Sequence, residues 1–339
     1  MGRRLLVIAL LVLLAFAAVV SGAVWYMTGV PGTSHRGPPP PLTAEEQALV
    51  PLLRRHIEAT ASREHNVAHY DELENSARYI ETTLASYGYT VNRQSFEADD
   101  YLSDTRTVRN IEVVIEPRDP GPATETLVVG AHYDSAIGAP GANDNGSGVA
   151  AVIELARLLG DLEGKSPRRI RLVLFVNEEM PYFRTQEMGS WQYAAALHAG
   201  NERVVGMYSL ETIGWFASEP GSQRYPTPFN LIFPDRGDFV AFVGTPYARA
   251  LVWETIRSFR SHTQFPSIGG VAPDSVPGID WSDHWAFEEV GFPALMVTDT
   301  APFRYPHYHQ FTDTPDKVDA DSLARVVKGM ERVIRDAVR

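Results

Sequence analysis

Four short apolar runs dominate this chain: Leu127–Ala131, Ile170–Val176, Arg203–Leu210 and Pro293–Thr298. Each has the length of a strand, and helix-forming stretches separate them. One is Gly148–Leu159, whose Val149, Val152, Ile153, Ala156 and Leu159 recur at helical spacing; another passes through Ala248, Leu251, Val252, Thr255 and Ile256. The chain closes on a third, carrying Leu323, Val326, Val327, Met330 and Ile334. Strands at Thr90–Phe96 and Asn110–Glu116 precede this alternation, the second with the inside–outside pattern of a half-buried strand. Two helices come earlier still. The first opens on a capping-box-like Thr43-Ala-Glu-Glu46, and the second runs through Leu73, Ala77, Ile80 and Leu84 to Gly88. Such alternation predicts a three-layer α/β/α sandwich around a mixed, mostly parallel sheet. At 339 residues and 44% hydrophobic content, residues 43–339 can form one large domain with an ample core. No internal repeat is present.

Ahead of that domain, Arg3 and Arg4 precede an uncharged apolar run from Leu5 to Met27. It exceeds the roughly 20 residues a membrane-crossing helix needs, and Trp25 and Tyr26 sit where interfacial aromatics belong. Residues 1–28 therefore read as a signal anchor, with the flanking arginines predicting a cytoplasmic N-terminus and an extracytoplasmic domain. Small residues at Ser21 and Ala23 leave cleavage after Ala23, and secretion, as the alternative. Residues 29–42, rich in Pro and Gly, are expected to form an exposed, semi-extended spacer. A net charge of -12 argues against nucleic-acid binding, which requires a basic surface. With no cysteine, lipidation, thiolate metal sites and Cys nucleophiles are all excluded.

Function is concentrated at predicted strand ends and loops, where open α/β sheets gather their reactive groups. His132 follows one strand, with Asp134 two positions on; a metal-bound imidazole commonly gives its second N–H to such a carboxylate. Asp144 lies in the Gly- and Asn-rich turn Gly141–Gly148. Glu178 and Glu179 leave the most hydrophobic strand together, an arrangement of like charges that a cation would relieve. Glu211 ends a further strand, and His307 and His309 lie in a late loop, where spacing alone leaves the two equivalent. His132, Asp144, Glu179, Glu211 and His309 could hold two divalent cations, with Glu178 free to act as general base. The chemistry that follows is amide hydrolysis. A serine hydrolase is disfavoured, since Asn145-Gly-Ser-Gly148 lacks the G-x-S-x-G spacing.

In these segments the chain resembles metallopeptidase family 28, the zinc-dependent aminopeptidases whose relatives include glutamate carboxypeptidase II and glutaminyl cyclase. The likeness runs from about Asn75 to the last helix, and is strongest between Val128 and Glu179. Gly130-Ala-His-Tyr-Asp-Ser135, Pro140–Gly148 and Asn177-Glu-Glu179 match its first three motifs; Trp281-Ser-Asp-His284 and His309–Thr314 match its closing ones. The resemblance selects His309 over His307. It implies one metal on His132 and Glu211, a second on Glu179 and His309, and Asp144 bridging them. It also implies Glu178 as base, Asp134 behind His132 and a cis Asp144–Asn145 peptide. The family often has Asp where this chain has Glu211. The implied protein is a dinuclear zinc exopeptidase, an aminopeptidase first of all, acting on peptides or proteins. A glutaminyl-cyclase-like acyltransferase and a non-catalytic receptor-like member are the alternatives; retention of both His132 and Glu211, which supply a second metal, argues against the cyclase. Pro181–Met188 and the excursion Glu219–Pro234 are the expected pocket lining; Tyr182, Phe183, Trp215 and Phe216 either favour apolar side chains there or pack as ordinary loop residues. Oligomeric state is not set by the sequence.

Overall fold

The computed structural model describes residues 2–99 and 104–339. One sheet of eight strands organises it: β1 (Asn92–Asp99), β2 (Thr105–Ile115), β3 (Glu125–His132), β4 (Arg169–Phe175), β5 (Arg203–Glu211), β6 (Val240–Gly244), β7 (Ser267–Val271) and β8 (Ala294–Thr298). Their spatial order is β1-β2-β4-β3-β5-β8-β6-β7. The central four, β4-β3-β5-β8, are parallel to one another. β1 pairs antiparallel with β2, β2 with β4, and β6 with β8.

Helices cover both faces, as the three-layer reading expects. The helices are α1 (Gly2–Thr28), α2 (Ala44–Thr60), α3 (Tyr70–Ser86), α4 (Gly146–Leu159), α5 (Gly189–Ala199), α6 (Arg249–His262), α7 (His284–Glu289), α8 (Ala301–Arg304) and α9 (Ala320–Ala337). On one face α2, α3, α4, α6 and α9 pack against Leu127, Val129, Leu172 and Leu210; on the other, α5 and α7 pack against Val128, Val173, Phe175 and Met207. Strand residues thus alternate between two apolar layers, which is why the central strands read as continuous apolar runs. The capping box at Thr43 is formed, its hydroxyl accepting from the Glu46 N–H while the Glu46 carboxylate accepts from the Thr43 N–H.

Three features differ from the sequence reading. The strands β6 and β7 were not placed: each spans five residues, β6 emerging from a loop that carries Pro234 and Gly237 and β7 containing Gly269 and Gly270. Helix α5 was missed because its apolar residues do not gather on one face at helical spacing. Residues 29–42, expected to stand free, lie along the domain instead. Arg260 donates to the carbonyls of Pro31 (2.8 Å) and Gly32 (3.1 Å), Arg325 donates to that of Pro40 (2.6 Å), and Ser34 Oγ accepts from the Ser267 N–H (2.8 Å). A proline-rich segment has carbonyls to spare and few N–H groups, so neighbouring guanidinium groups are natural partners. Among the described residues α1 is the one helix long and apolar enough to cross a membrane, and its length suits either a signal anchor or a signal peptide.

Candidate metal centre

The parallel core decides where the acids meet. β3 lies between β4 and β5, with His132 opposite Phe175 and Gly130 opposite Ser209. Leaving these three adjacent strands at the same edge, the chain places His132, the pair Glu178–Glu179 and Glu211 side by side. Asp144 arrives from the loop before α4, held against the end of β5 by Asn145: its Nδ2 donates to the Leu210 carbonyl (2.8 Å), and its Oδ1 accepts from the N–H groups of Gly148 and Thr212 (both 3.1 Å). Gly148 is needed at that approach, since a Cβ there would stand 2.3 Å from the Leu210 carbonyl oxygen. The Asp144–Asn145 peptide is cis.

Four carboxylates and two imidazoles converge. His132 Nε2 stands 3.4 Å from Asp144 Oδ1, 3.3 Å from Glu211 Oε2 and 3.8 Å from Glu178 Oε2. His309 Nε2 stands 3.0 Å from Asp144 Oδ2 and 3.3 Å from Glu179 Oε2. Three three-residue groups result, His132–Asp144–Glu211, Asp144–Glu179–His309 and His132–Glu178–Glu179, in each of which one ligand atom per residue lies within 4.8 Å of the others; Asp144 links the first two. His307 is not among them; its Nδ1 pairs with Thr312 Oγ1 at 2.8 Å and its ring packs on Trp215 and Tyr305.

The supports are as ordered as the donors. Asp134 was expected to receive the His132 Nδ1–H on its carboxylate. Nδ1 donates instead to the Asp134 main-chain carbonyl at 3.0 Å, with the carboxylate farther off at 3.5 Å. That bond fixes the tautomer and leaves the Nε2 lone pair aimed at the acids, the form in which imidazole binds metal. The Asp134 carboxylate accepts from the N–H groups of Glu178 and Glu179, both at 3.1 Å. Asp313 repeats the device on the neighbouring loop, accepting from the N–H groups of Asn143 (2.9 Å) and Asp144 (3.1 Å) and from the Tyr305 hydroxyl (2.6 Å). Ser282 donates to Glu211 Oε2 at 2.7 Å. The sequence contained Ser282, Asp313 and Asn145 only as parts of matched motifs; none showed by spacing that it would position a ligand.

The electrostatics are lopsided. Burial, reinforced by the charges of Glu211, Glu179 and Asp283, pushes Glu178 well above the ordinary carboxylate range against the pull of His132. Burial likewise lifts Glu179 and Glu211 to about 7. Burial opposes charge on His309, but the Asp144 and Glu179 carboxylates beside it outweigh burial and raise the imidazole to about 11. His132 Nε2, Asp144 Oδ2 and Glu179 Oε1 are buried without a hydrogen-bond partner among the described residues. Buried polar atoms are seldom left so, and an excess of acid over base that is also unpartnered fits divalent cations. The donors, imidazole nitrogen and carboxylate oxygen, suit zinc and its neighbours.

The model of peptidase family M28 matches residues 110–334. The chain belongs to this family. YfbL of Escherichia coli (strain K12), an uncharacterised protein, is 39% identical over 270 residues, covering 77% of this chain and 79% of that one. Leucine aminopeptidase 1 of Arthroderma otae is 29% identical over 223 residues, 62% of this chain; the match spans 53% of that relative's length, about half. Among solved structures, an aminopeptidase from Aneurinibacillus sp. strain AM-1 superposes with a TM-score of 0.65 at 18% identity, covering 87% of this chain and 96% of that one. A glutaminyl cyclase of Fimbriiglobus ruber gives 0.61 at 20% identity, covering 89% and 97%. Both share the fold. As an M28 member the chain is a metallopeptidase, working with a divalent metal on peptide or protein substrates.

Proposed function

We propose that this M28 peptidase is an aminopeptidase whose His132–Asp144–Glu211 and Asp144–Glu179–His309 groups would hold two divalent cations, zinc the expected pair, with Asp144 common to both groups. The observation carrying this reading is the Asp144 carboxylate, whose Oδ1 faces His132 and whose Oδ2 faces His309. Such cations, when bound, polarise a substrate carbonyl and make a water acidic near neutral pH.

The chain's own residues do the rest. Glu178 borders the His132 group, and its carboxylate accepts the proton of the attacking water and returns it to the leaving amine. Asp134, through the two N–H groups it holds, fixes where that carboxylate stands. Removal of residues from a free N-terminus is supported by the names of the aminopeptidase relatives. We further propose that α1 is retained as an anchor, with the catalytic domain outside the cytoplasm. The protein should then stay with membranes after a high-salt wash.

Peptides with free and blocked N-termini, assayed with and without chelator, test the assignment. Hydrolysis should require the free amine, disappear with chelator and return with zinc, at about two cations per chain. Equal cleavage of free and blocked peptides would rule out an aminopeptidase. One cation per chain with cyclisation of N-terminal glutamine would favour the chemistry of the cyclase neighbours.

A further inference from the structure

An apolar cavity opens beside the metal centre and ends at the membrane helix. Glu211, Thr212 and Tyr308 line its inner end, Phe229, Phe233 and Trp281 line its flank, and Met27 and Thr28, the last residues of α1, line it as well. Of the two readings open for Trp215 and Phe216, they follow loop packing: Trp215 packs on Tyr305 and Phe216 on Phe265. The excursion Glu219–Pro234 does contribute, through Tyr225, Pro226, Phe229 and Phe233.

The end of α1 is seated firmly on the domain. The Arg249 guanidinium lies over the Tyr26 ring at 4.4 Å and the Trp253 ring at 4.1 Å, and its Nε donates to the Tyr26 carbonyl at 3.1 Å. Strand β7 makes room with Gly270, where a Cβ would stand 2.5 Å from the Met27 carbonyl oxygen. Trp25 and Tyr26 are exposed aromatics of the kind that settle at the membrane–water interface. Met27 follows directly, at about 1.5 Å of rise per helical residue, so the cavity lies at interfacial depth when α1 spans a bilayer. Beside it, the short turn Phe229–Leu231 has Phe229 lining the cavity, while Leu231 is 81% exposed and Ile232 beyond it 41% exposed.

We propose that the last turn of the anchor helix completes the specificity pocket, and that its occupant is the large apolar side chain of a peptide N-terminus presented at the bilayer surface. This rests on the aminopeptidase reading. Met27 and Thr28 are then specificity-determining residues, and the anchor shapes substrate choice as well as tethering the enzyme.

The test uses the full-length protein in lipid nanodiscs, as wild type, Met27→Trp (filling the cavity) and Gly270→Val (displacing the helix end). Two probe pairs are compared: Phe- and Ala-p-nitroanilide for kcat/KM, and phenylalaninol and alaninol, which have no scissile bond, for calorimetric binding. Wild type should prefer the aromatic member of each pair by roughly 10–200-fold, the discrimination an apolar pocket supplies per methylene or more. Both variants should lower that ratio at least tenfold at unchanged metal content. Retention of the ratio in Met27→Trp overturns the proposal, as does equal binding of the two amino alcohols by wild type. If neither anilide is hydrolysed but the phenylalaninol preference vanishes in Met27→Trp, the pocket stands and the aminopeptidase reading falls.

Discussion

Two clusters of buried charge in this protein use similar side chains and end in opposite states. Beneath α2 and α4, Glu154 is 0% exposed, yet every polar atom around it has a partner. His56 Nε2 meets Glu154 Oε1 at 2.9 Å, and the Tyr87 hydroxyl donates to the same oxygen at 3.2 Å. Arg157 donates twice to Oε2, at 2.6 and 2.8 Å, and Tyr79 pairs with His56 Nδ1 at 2.8 Å. At the strand ends, by contrast, four carboxylates face two imidazoles, and three of their buried atoms have no hydrogen-bond partner among the described residues. The first cluster closes its own electrostatic account and ties helices together. The second cannot do so with protein groups alone. Burial of charge is therefore not what marks the functional site; the convergence of uncompensated acids and imidazoles on one another is.

The contrast is open to attack from both sides. Glu178→Gln should cut turnover by about 10²–10⁴-fold, the usual contribution of a general base, while metal content and melting temperature hold. A variant that loses metal instead would make Glu178 a ligand and redraw the site. Glu154→Leu should do the reverse. It leaves His56 and Arg157 facing an empty partner position, and urea unfolding should show a loss of about 3 kcal/mol, with kcat at 25 °C within about twofold of wild type. Asp134→Asn should lie between them. Its amide cannot accept from both N–H groups that Asp134 holds, so activity and metal affinity should each fall about 10–100-fold; unchanged metal affinity would confine Asp134 to placing Glu178.

The smallest expected effect is the pH dependence of the structural cluster. Burial works against the Glu154 charge, but hydrogen bonds from His56 and Arg157 outweigh it and hold the carboxyl below its ordinary range. A carboxyl held low in the folded state contributes stability above the unfolded value, and that contribution is lost as pH falls through the folded one. Unfolding measured from pH 7 downward should therefore show wild type losing stability over the Glu154→Leu variant's own loss, beginning near pH 4.5. Parallel curves would mean that the cluster is not electrostatically coupled to folding.

Legibility followed the same division. The central strands were readable because each faces an apolar layer on both sides, and their ends carried the acids and histidines in recognisable order. The capping box at Thr43 was local and equally plain. β6, β7 and α5 were not: β6 emerges from a loop that carries Pro234 and Gly237, β7 is interrupted by Gly269 and Gly270, and a helix with apolar residues all round gives no period to detect. The supporting residues were hidden for another reason. Asn145 acts on Thr212, Asp313 on Asn143, and Ser282 on Glu211, across separations along the chain that no local pattern records.

What the sequence determined by itself was the inventory: an apolar leader, an α/β alternation, and a set of imidazoles and carboxylates just beyond strands. Periodicity and side-chain chemistry are properties of neighbours in the chain, so they survive reading in one dimension. Tertiary structure set His309 Nε2 against the acids, decided which atom of Asp134 holds the ring and which the acid pair, and brought the end of α1 to the wall of an apolar cavity. Those outcomes depend on the order in which strands pair and on contacts between segments remote in sequence. Only the folded chain brings them within an ångström scale.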